Sequence, residues 1–286
     1  MYKIIKLIFK IISMIHRSLM TKLAYPIGMI WYKIDRRHRE IATNNMIIAF
    51  GSEWSIEKIN KTVKANFVQL SRVALELFSL LRVTKENLDS YIVFSGEEHL
   101  YNALSKGKGI IILTAHLGNW ELMAISTPLK FNITFNVMGR ALDYKPMDKM
   151  INEIRTRTGN IVVDKNKSAS KVASLLREKK IIAIMMDQHA APYEGVYVPF
   201  FGKVDCSNKG LALFAMRCGA IILPAFNIRQ EDGRYKVMFD KPIEVARTGD
   251  LSKDLVENTA NFNKIIEKYI RMAPDNWFWV HRRWKE

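Results

Sequence analysis

From about residue 91 onward, short runs of apolar and β-branched residues alternate with stretches of helical periodicity. The predicted strands are 91–94, 110–113, 133–137, 161–163, 181–185, 221–223 and 235–239. The predicted helices between them lie near 97–106, 119–128, 146–158, 168–179 and 208–217. Continuous apolar strands that alternate with helices are typical of a sheet covered on both faces. The sequence therefore predicts an α/β fold, a single domain with a mostly parallel or mixed central sheet flanked by helices.

Helical patterns also bracket this region. Residues 56–82 carry apolar side chains at spacings of three and four, which is the helix signal. A final helix is predicted over 252–272, ending before Pro274. Near the amino terminus, Pro26 is expected to end a first helix because proline breaks the hydrogen-bond ladder. We divide the chain into a helical, amphipathic and basic membrane-associating segment, residues 1–40, and an α/β domain, residues 41–286.

The first forty residues carry nine basic and two acidic side chains among many Ile, Leu and Phe. On a helix, Lys3, Lys6 and Lys10 share one narrow stripe, while Ile4 and Ile8 belong to a broad apolar side. A basic stripe beside an apolar face is typical of a helix lying in the headgroup region of an anionic membrane surface. A spanning helix and an amphipathic helix packed on its own protein stay open as alternatives.

The whole chain is basic, with 44 Lys and Arg against 28 Asp and Glu and a formal net charge of +16. Such a charge attracts nucleic acid, acidic lipid headgroups or an acidic carrier protein. Because the basic residues are dispersed and form no recognised nucleic-acid motif, we expect no nucleic-acid partner. The two cysteines, Cys206 and Cys218, form no paired motif, and His189 and His281 lack metal-ligand spacing, so no metal is expected.

One segment, GIIILTAHLGNWELMA from Gly109, joins a predicted buried strand to a predicted helix through a Gly-Asn turn. Residues five apart on one helix point about 140° away from each other, so His116 can meet Glu121 only from the turn, with Asn119 near the helix cap. Glu121 would then orient the imidazole as a general base. The alternative is a histidine satisfied by its neighbours, but a position at the carboxyl end of a strand favours the functional interpretation.

The motif AHLGNWE resembles the His-x4-Asp/Glu motif of the lysophospholipid acyltransferase superfamily. Its glutamate form with Gly-Asn-Trp is similar to the late acyltransferases of lipid A biosynthesis, the lauroyl- and myristoyl-transferases. The resemblance continues in order through RRHREIATNN, VMGR, IRTRTGN, MMDQH, VPFFGK, GLALFAMRCGAIILPAF and APDNWFWVHRRWK, and so covers nearly the whole chain. The glycerolipid branch carries His-x4-Asp and a Phe-Pro-Glu-Gly element; this chain has Glu121 and VPFFGK instead, which favours a lipid A-like acceptor.

The resemblance implies an O-acyltransferase that moves a fatty acyl group from a thioester donor to a hydroxyl of a lipid A precursor or similar phosphorylated lipid. Acyl carrier protein is favoured as donor over acyl-CoA; the thioester is a co-substrate, and no cofactor is expected. His116 would be the general base and Glu121 its orienting partner. The expected place is the cytoplasmic face of the bacterial inner membrane, peripheral or monotopic. Alternatives are another lipid acceptor (lysophospholipid, glycolipid or aminolipid) and a membrane-attached acyl thioesterase.

Further residues are predicted to bind substrate: Asn119, Arg140, Arg155, Asp187, Gln188, Phe201 and Gly202. Arg140 follows a strand, where a guanidinium could hold a phosphate in two-pronged geometry, and the family pattern favours Arg155 on the next helix. Asp187 would orient an arginine or the substrate, or form a structural ion pair. The turn with Phe201 would line an acyl channel or belong to the core. The closing aromatic run from Trp277 suits a membrane interface or packing on the domain.

Overall fold

A computed structural model describes residues 1–139, 141–164 and 169–285. Within these ranges the strands are β1 (Ile92–Ser95), β2 (Ile110–Thr114), β3 (Phe135–Gly139), β4 (Ile161–Asp164), β5 (Ile181–Met185), β6 (Gly195–Phe200), β7 (Lys203–Asn208), β8 (Ile221–Arg229) and β9 (Tyr235–Phe239). The central sheet has the order β1-β9-β8-β2-β5-β3-β4. Neighbouring strands run parallel except β8 with β9. The predicted α/β fold with a mostly parallel or mixed sheet is confirmed.

Helices cover the sheet and precede it. In chain order they are α1 (Tyr2–Ser13), α2 (Arg17–Ile34), α3 (Arg36–Phe50), α4 (Ile56–Ser79), α5 (Glu97–Ser105), α6 (Trp120–Phe131), α7 (Lys145–Thr156), α8 (Ala169–Arg177), α9 (Gly210–Cys218) and α10 (Leu251–Met272). The predicted helices at 56–82 and 252–272 are confirmed, the first ending in a 3-10 turn. Side-chain caps fix their starts, because Ser55 accepts from the N–H of Lys58 and Asp250 from that of Ser252.

The sheet is buried on both faces, as its continuous apolar strands require. On β2, Ile111 and Leu113 point into a core formed with α3, α4, α8, α9 and α10. Ile110 and Ile112 point into a second core formed with α1, α5, α6 and α7. Each such side chain contributes about 1.5–3 kcal/mol by leaving water. Because both faces of the sheet are packed, the carboxyl ends of β2 and β5 are held in place at one edge of the sheet.

A separate hairpin was not predicted from the sequence. Strands β6 and β7 pair antiparallel and form the second sheet. The turn between them holds Phe201 and Gly202 at positive φ, 51° and 77°. Pro199 lies within β6, and a proline inside an apolar run argues against a central strand, which concealed the pattern. In a two-stranded sheet, however, every strand is an edge, so the proline is tolerated.

The prediction that Pro26 ends the first helix is wrong. Helix α1 ends at Ser13, and Pro26 lies inside α2. The break comes instead at His16, whose side chain accepts from the N–H of Ser18 and caps α2. Pro26 and Lys22 are both exposed, so the Lys22 carbonyl that loses its N–H partner lies on the solvent side, where water can satisfy it.

Helix α2 packs closely along α4. Gly28 permits this contact, because a Cβ at that position would lie 2.6 Å from the Cα of Val68. Met20 and Ala24 are buried on the same side of α2. The division at residue 40 stays a prediction about function; residue 40 itself lies inside α3. Among the described residues, none of the helices combines the length and apolarity needed to cross a membrane.

Candidate active site

A cavity of about 690 Å³ opens where β2 and β5 end. It is bordered by residues from α2, α4, α6, α7, α9 and the segment after β5: Trp31, Leu70, Val73, Leu77, His116, Trp120, Glu121, Arg155, Gln188, His189 and Phe214 among them. The lining combines apolar side chains of α4 with four titratable side chains, those of His116, Glu121, Arg155 and His189. We call this space the catalytic cavity. In an open α/β sheet, the carboxyl ends of the strands are where ligands bind.

His116 lies in the turn between β2 and α6, as the sequence predicts. Asn119 is the N-cap of α6, and its Oδ1 accepts from the N–H of Leu122 at 3.0 Å. Gly118 has φ +62°, and a Cβ there would lie 2.3 Å from the carbonyl oxygen of Asn227. Only glycine fits this turn, because both the backbone conformation and the close contact exclude a side chain. The strand-turn-helix position of the histidine is confirmed.

The structure corrects the predicted partner of His116. Its Nδ1 lies 2.9 Å from Oδ1 of Asp187, and its backbone N–H donates to Oδ2 at 3.1 Å. Trp277 Nε1 donates to the same Oδ2 at 2.7 Å. Asp187 is only 1% exposed, so three hydrogen bonds hold one buried carboxylate against the histidine. Asp187 therefore orients His116, rather than an arginine or the substrate.

Strand pairing explains why these two residues meet. Strands β2 and β5 are parallel neighbours, with Thr114 opposite Met185 at their carboxyl ends. His116 and Asp187 each lie two positions beyond that pair. Parallel strands in register bring residues at equal offsets to the same edge of the sheet. The contact thus follows from the order of strands in the sheet and not from local sequence spacing.

The contact with Asp187 determines the electrostatics of the site. Burial lowers the pKa of His116, but the charge and hydrogen bond of Asp187 outweigh it, with help from Glu121, and the pKa is raised above its ordinary value. For the pKa of Asp187, burial acts upward, yet His116 and the Trp277 hydrogen bond keep it below its ordinary value. With Nδ1 engaged, Nε2 is the imidazole nitrogen left for a substrate proton.

Glu121 also borders the catalytic cavity but bonds to Arg155. Arg155 Nε donates to Glu121 Oε2 at 2.9 Å, and its Nη2 donates to Oε1 in a second, very short contact. The two-pronged pair raises the pKa of Arg155 although burial acts to lower it. The predicted hydrogen bond from His116 to Glu121 is replaced by a longer-range influence of Glu121 on the histidine. Arg155 lies in the cavity, where the sequence predicted it.

Asn119 and Gln188 both border the catalytic cavity. The amide of Asn119 is already occupied, since Nδ2 donates to buried Glu76 Oε2 at 2.9 Å, so it holds the turn instead of presenting a free group. Phe201 is buried in the turn between β6 and β7 and packs against Phe50 and Trp279. Of the two interpretations of this turn, packing in the core is therefore confirmed for Phe201, and lining of an acyl channel is not.

Arg140 lies outside the described residues. Gly202, beside Phe201 in the same turn, is exposed and does not border the catalytic cavity. In the closing aromatic run, Trp277, Trp279 and Trp284 are buried in the core, which confirms the alternative of packing on the domain for these three side chains. Trp277 also supplies a hydrogen bond to Asp187.

Sequence analysis missed a second oriented histidine in the cavity. His189 Nδ1 lies 3.0 Å from Asp205 Oδ2, and the same oxygen accepts from Arg283 Nη1 at 2.7 Å. Arg283 is fully buried and also donates to Ser207 Oγ at 2.6 Å. The arginine comes from the last residues of the chain, so no local pattern joins it to His189. In the described ranges, no three His, Cys, Asp or Glu side chains are grouped as metal ligands.

The model of the bacterial lipid A biosynthesis acyltransferase family matches residues 3–286. The chain belongs to this family. It is therefore an O-acyltransferase, which requires an acyl donor and a lipid acceptor. The predicted resemblance is confirmed over the whole chain.

Three relatives of this family member illustrate its range. The lipid A biosynthesis lauroyltransferase of Escherichia coli (strain K12) is 24% identical over 281 residues, 93% of this chain and 88% of the relative. The lipid A biosynthesis palmitoleoyltransferase of the same strain is 23% identical over 261 residues, 87% and 79% of the two chains. The phosphatidylinositol mannoside acyltransferase of Mycolicibacterium smegmatis is 23% identical over 175 residues, 60% and 57%. Acceptors named for these relatives differ.

Proposed function

We propose that this acyltransferase moves a fatty acyl group from a thioester, carried by acyl carrier protein or acyl-CoA, to a hydroxyl of a lipid A precursor or similar phosphorylated lipid. The observation that carries the proposal is the His116–Asp187 pair beside a largely apolar cavity. An imidazole held at one nitrogen by a buried carboxylate suits proton removal from a hydroxyl. The family of the chain favours a lipid A-like acceptor.

The step needs one proton acceptor and no covalent enzyme intermediate. The acceptor oxygen forms a bond to the thioester carbonyl carbon as His116 Nε2 takes its proton. The resulting tetrahedral oxyanion collapses, the carbon–sulfur bond breaks, and the leaving thiolate takes the proton from the His116 imidazolium, which regenerates the base. The amino-terminal turn of α6 begins just after His116, and N–H groups at a helix start favour the developing oxyanion.

The lining of the cavity suits the two substrates in different places. Leu70, Val73 and Leu77 on α4 border it and would accept an acyl chain by burying its methylene groups, each worth about 0.8 kcal/mol. Arg155 borders it near His116 and would attract an anionic group of the donor or acceptor through its remaining N–H donors. Its pairing with Glu121 fixes the guanidinium before substrate arrives.

A second acceptor class has one observation in its favour. The mycobacterial relative, named for phosphatidylinositol mannoside, matches a shorter part of the chain. Another glycolipid hydroxyl would use the same base and the same donor. The two acceptors differ in the headgroup and not in the acyl-transfer chemistry, so only product analysis separates them.

The proposal predicts a specific product pattern. Purified protein incubated with acyl carrier protein thioester and a phosphorylated disaccharide lipid should yield that lipid heavier by one acyl group, detected by mass spectrometry. Acyl-CoA and a phosphatidylinositol mannoside serve as the alternative donor and acceptor. Release of free fatty acid with no acylated lipid would contradict transfer and favour a thioesterase.

We further propose that the enzyme attaches peripherally to an anionic membrane surface through α1 and α2. Ile5 and Phe9 are buried against the protein, whereas Leu7, Ile8 and Ile11 on α1 are exposed. Part of the amphipathic pattern thus serves internal packing, and a second apolar row remains outside. Exposed apolar rows of this kind beside lysines suit the headgroup region of a bilayer.

Replacing Ile8 and Ile11 together with glutamine should weaken binding to anionic vesicles by about tenfold or more, because two apolar side chains no longer leave water. Flotation of the purified protein with vesicles measures this. The matched control replaces Tyr197 and Val204, which are also exposed and lie on the β6–β7 hairpin, and it should bind as the parent does. Equal binding by both double variants and the parent would contradict attachment through α1.

A further inference from the structure

Two arginines border a cavity separate from the catalytic cavity. Arg72 on α4 and Arg229 at the end of β8 both border this space of about 820 Å³. Helix α4 divides the two cavities, since Leu70 and Val73 border the catalytic cavity while Gln69 and Arg72 border this one. We call it the arginine cavity. The catalytic mechanism uses neither of its arginines.

Both guanidinium groups retain unused hydrogen-bond donors. Arg72 Nη1 donates to Gln69 Oε1 at 2.5 Å, and Gln69 Nε2 in turn donates to the hydroxyl of Tyr235 at 3.2 Å. The Nε atoms of Arg72 and Arg229 are buried, and neither has a hydrogen-bond partner in the described part of the protein. A buried donor without an acceptor costs about 1–3 kcal/mol, so the protein alone does not satisfy these two guanidiniums.

The charges near Arg72 and Arg229 also affect how the two arginines would bind an anion. Burial and the charge of Arg229 together lower the pKa of Arg72, so the two like charges repel each other. Three carboxylates, Glu231, Asp232 and Asp275, also border the arginine cavity, and Asp232 is paired with Arg234. Tyr235, Glu76 and Asp275 act to raise the pKa of Arg72 but do not restore it. Two guanidiniums that border one cavity offer several N–H donors to one group, which suits a phosphate with charge near −2 better than a single carboxylate.

The position of the cavity indicates the source of the phosphate. Arg229 also borders a neighbouring cavity of about 620 Å³, together with Arg17 and Lys22 of α2. Met14, just after α1, and Leu19 on α2 are exposed apolar residues, and their chain neighbours Ile15 and Ser18 border this second cavity. A lipid would place its chains along the apolar residues and its headgroup toward the arginines.

We propose that Arg72 and Arg229 bind the phosphomonoester of a lipid headgroup, at a site distinct from the catalytic cavity. The inference does not rest on acyl transfer, because binding is measured without turnover. It also differs from general attraction to a negative surface, because it requires two particular side chains.

The test compares vesicles of phosphatidylcholine with phosphatidic acid against vesicles with phosphatidylglycerol, matched for surface charge. The parent protein should bind the phosphatidic acid vesicles more tightly. Arg72→Gln and Arg229→Gln should each lose about tenfold of that affinity and with it the preference. Arg229→Lys keeps the charge but not the planar fork, and should lose an intermediate part. Arg177→Gln removes the same charge from an exposed site on α8 and should leave the preference intact.

Measurements of unfolding distinguish a structural role of the two arginines from a role in binding. Both glutamine variants should be at least as stable as the parent, since each removes one of two repelling charges. If they are less stable and still prefer phosphatidic acid, the arginines are structural and the proposal is overturned. If inorganic phosphate alone stabilises the parent and abolishes the preference at equal phosphate concentration, the site takes a free anion and the lipid assignment is overturned. Equal preference in the parent and all variants would also overturn it.

Discussion

Replacing His116 with alanine should abolish measurable acyl transfer, a loss of about 10²–10⁴-fold in rate, because the acceptor hydroxyl then has no positioned base. Folding and vesicle binding should persist, since the imidazole lies at the edge of the cavity and not in either core. The measurement is the initial rate of lipid acylation by purified, folded protein. His189→Ala is the matched control: it removes another imidazole that borders the same cavity and is held by its own carboxylate, Asp205.

The His189→Ala control separates two explanations for a loss of acyl transfer in His116→Ala. If His189→Ala is as inactive as His116→Ala, the cavity as a whole is disturbed and the assignment to one base is not supported. Near parental transfer by folded His116→Ala would overturn the mechanism directly. Combining His116→Ala with Asp187→Asn should add little to the loss, because the two side chains act as one unit.

Replacing Asp187 with asparagine should have the second largest effect and one that a purely structural residue would not produce. The carboxylate raises the pKa of His116, so its removal should lower that pKa. Because the neutral imidazole is the base, the rise of activity with pH should then begin at lower pH. The maximal rate should nevertheless fall by about 10²–10⁴-fold, since the amide no longer fixes the tautomer and no longer stabilises the imidazolium.

A pH–rate profile of each variant measures both effects. Glu121→Gln is the comparison, because Glu121 bonds to Arg155 and influences His116 only at longer range. It should lower the rate by unpairing Arg155, yet move the acid limb less than Asp187→Asn does. An acid limb that moves only in Glu121→Gln would restore Glu121 as the direct partner of the base.

Local sequence was sufficient to predict the place of His116 but not its partner. A buried strand, a Gly-Asn turn and a helix start lie within one short segment, so the geometry follows from neighbouring residues. Asp187 is far away in sequence, and its contact depends on β5 being the parallel neighbour of β2. Periodicity identifies strands without ordering them in the sheet. For the same reason, local sequence assigns the orienting of His116 to nearby Glu121, although Asp187 has that role in the structure.

The helix boundary predicted near the amino terminus was wrong for a related reason. Proline was read as a helix end, but Pro26 faces outward on α2, where the broken ladder costs less. The apolar residues of α1 were assigned to one membrane-facing side, although Ile5 and Phe9 pack on the protein. An apolar helix face looks the same in sequence whether a bilayer or another helix covers it. The arrangement of α1 and α2 on α4 is what separates the two.

Trp31 on α2 borders the catalytic cavity and packs edge-on against Phe67 of α4, 4.8 Å between ring centroids. A chain shortened to begin at residue 41 would therefore lack part of the enclosure around the substrate and would expose Phe67 to water. If such a shortened enzyme lost activity, the cause could be water entering the catalytic cavity as well as detachment from a bilayer. Point changes on the outer row of α1 keep the enclosure intact, so they are the variants that can measure attachment by itself.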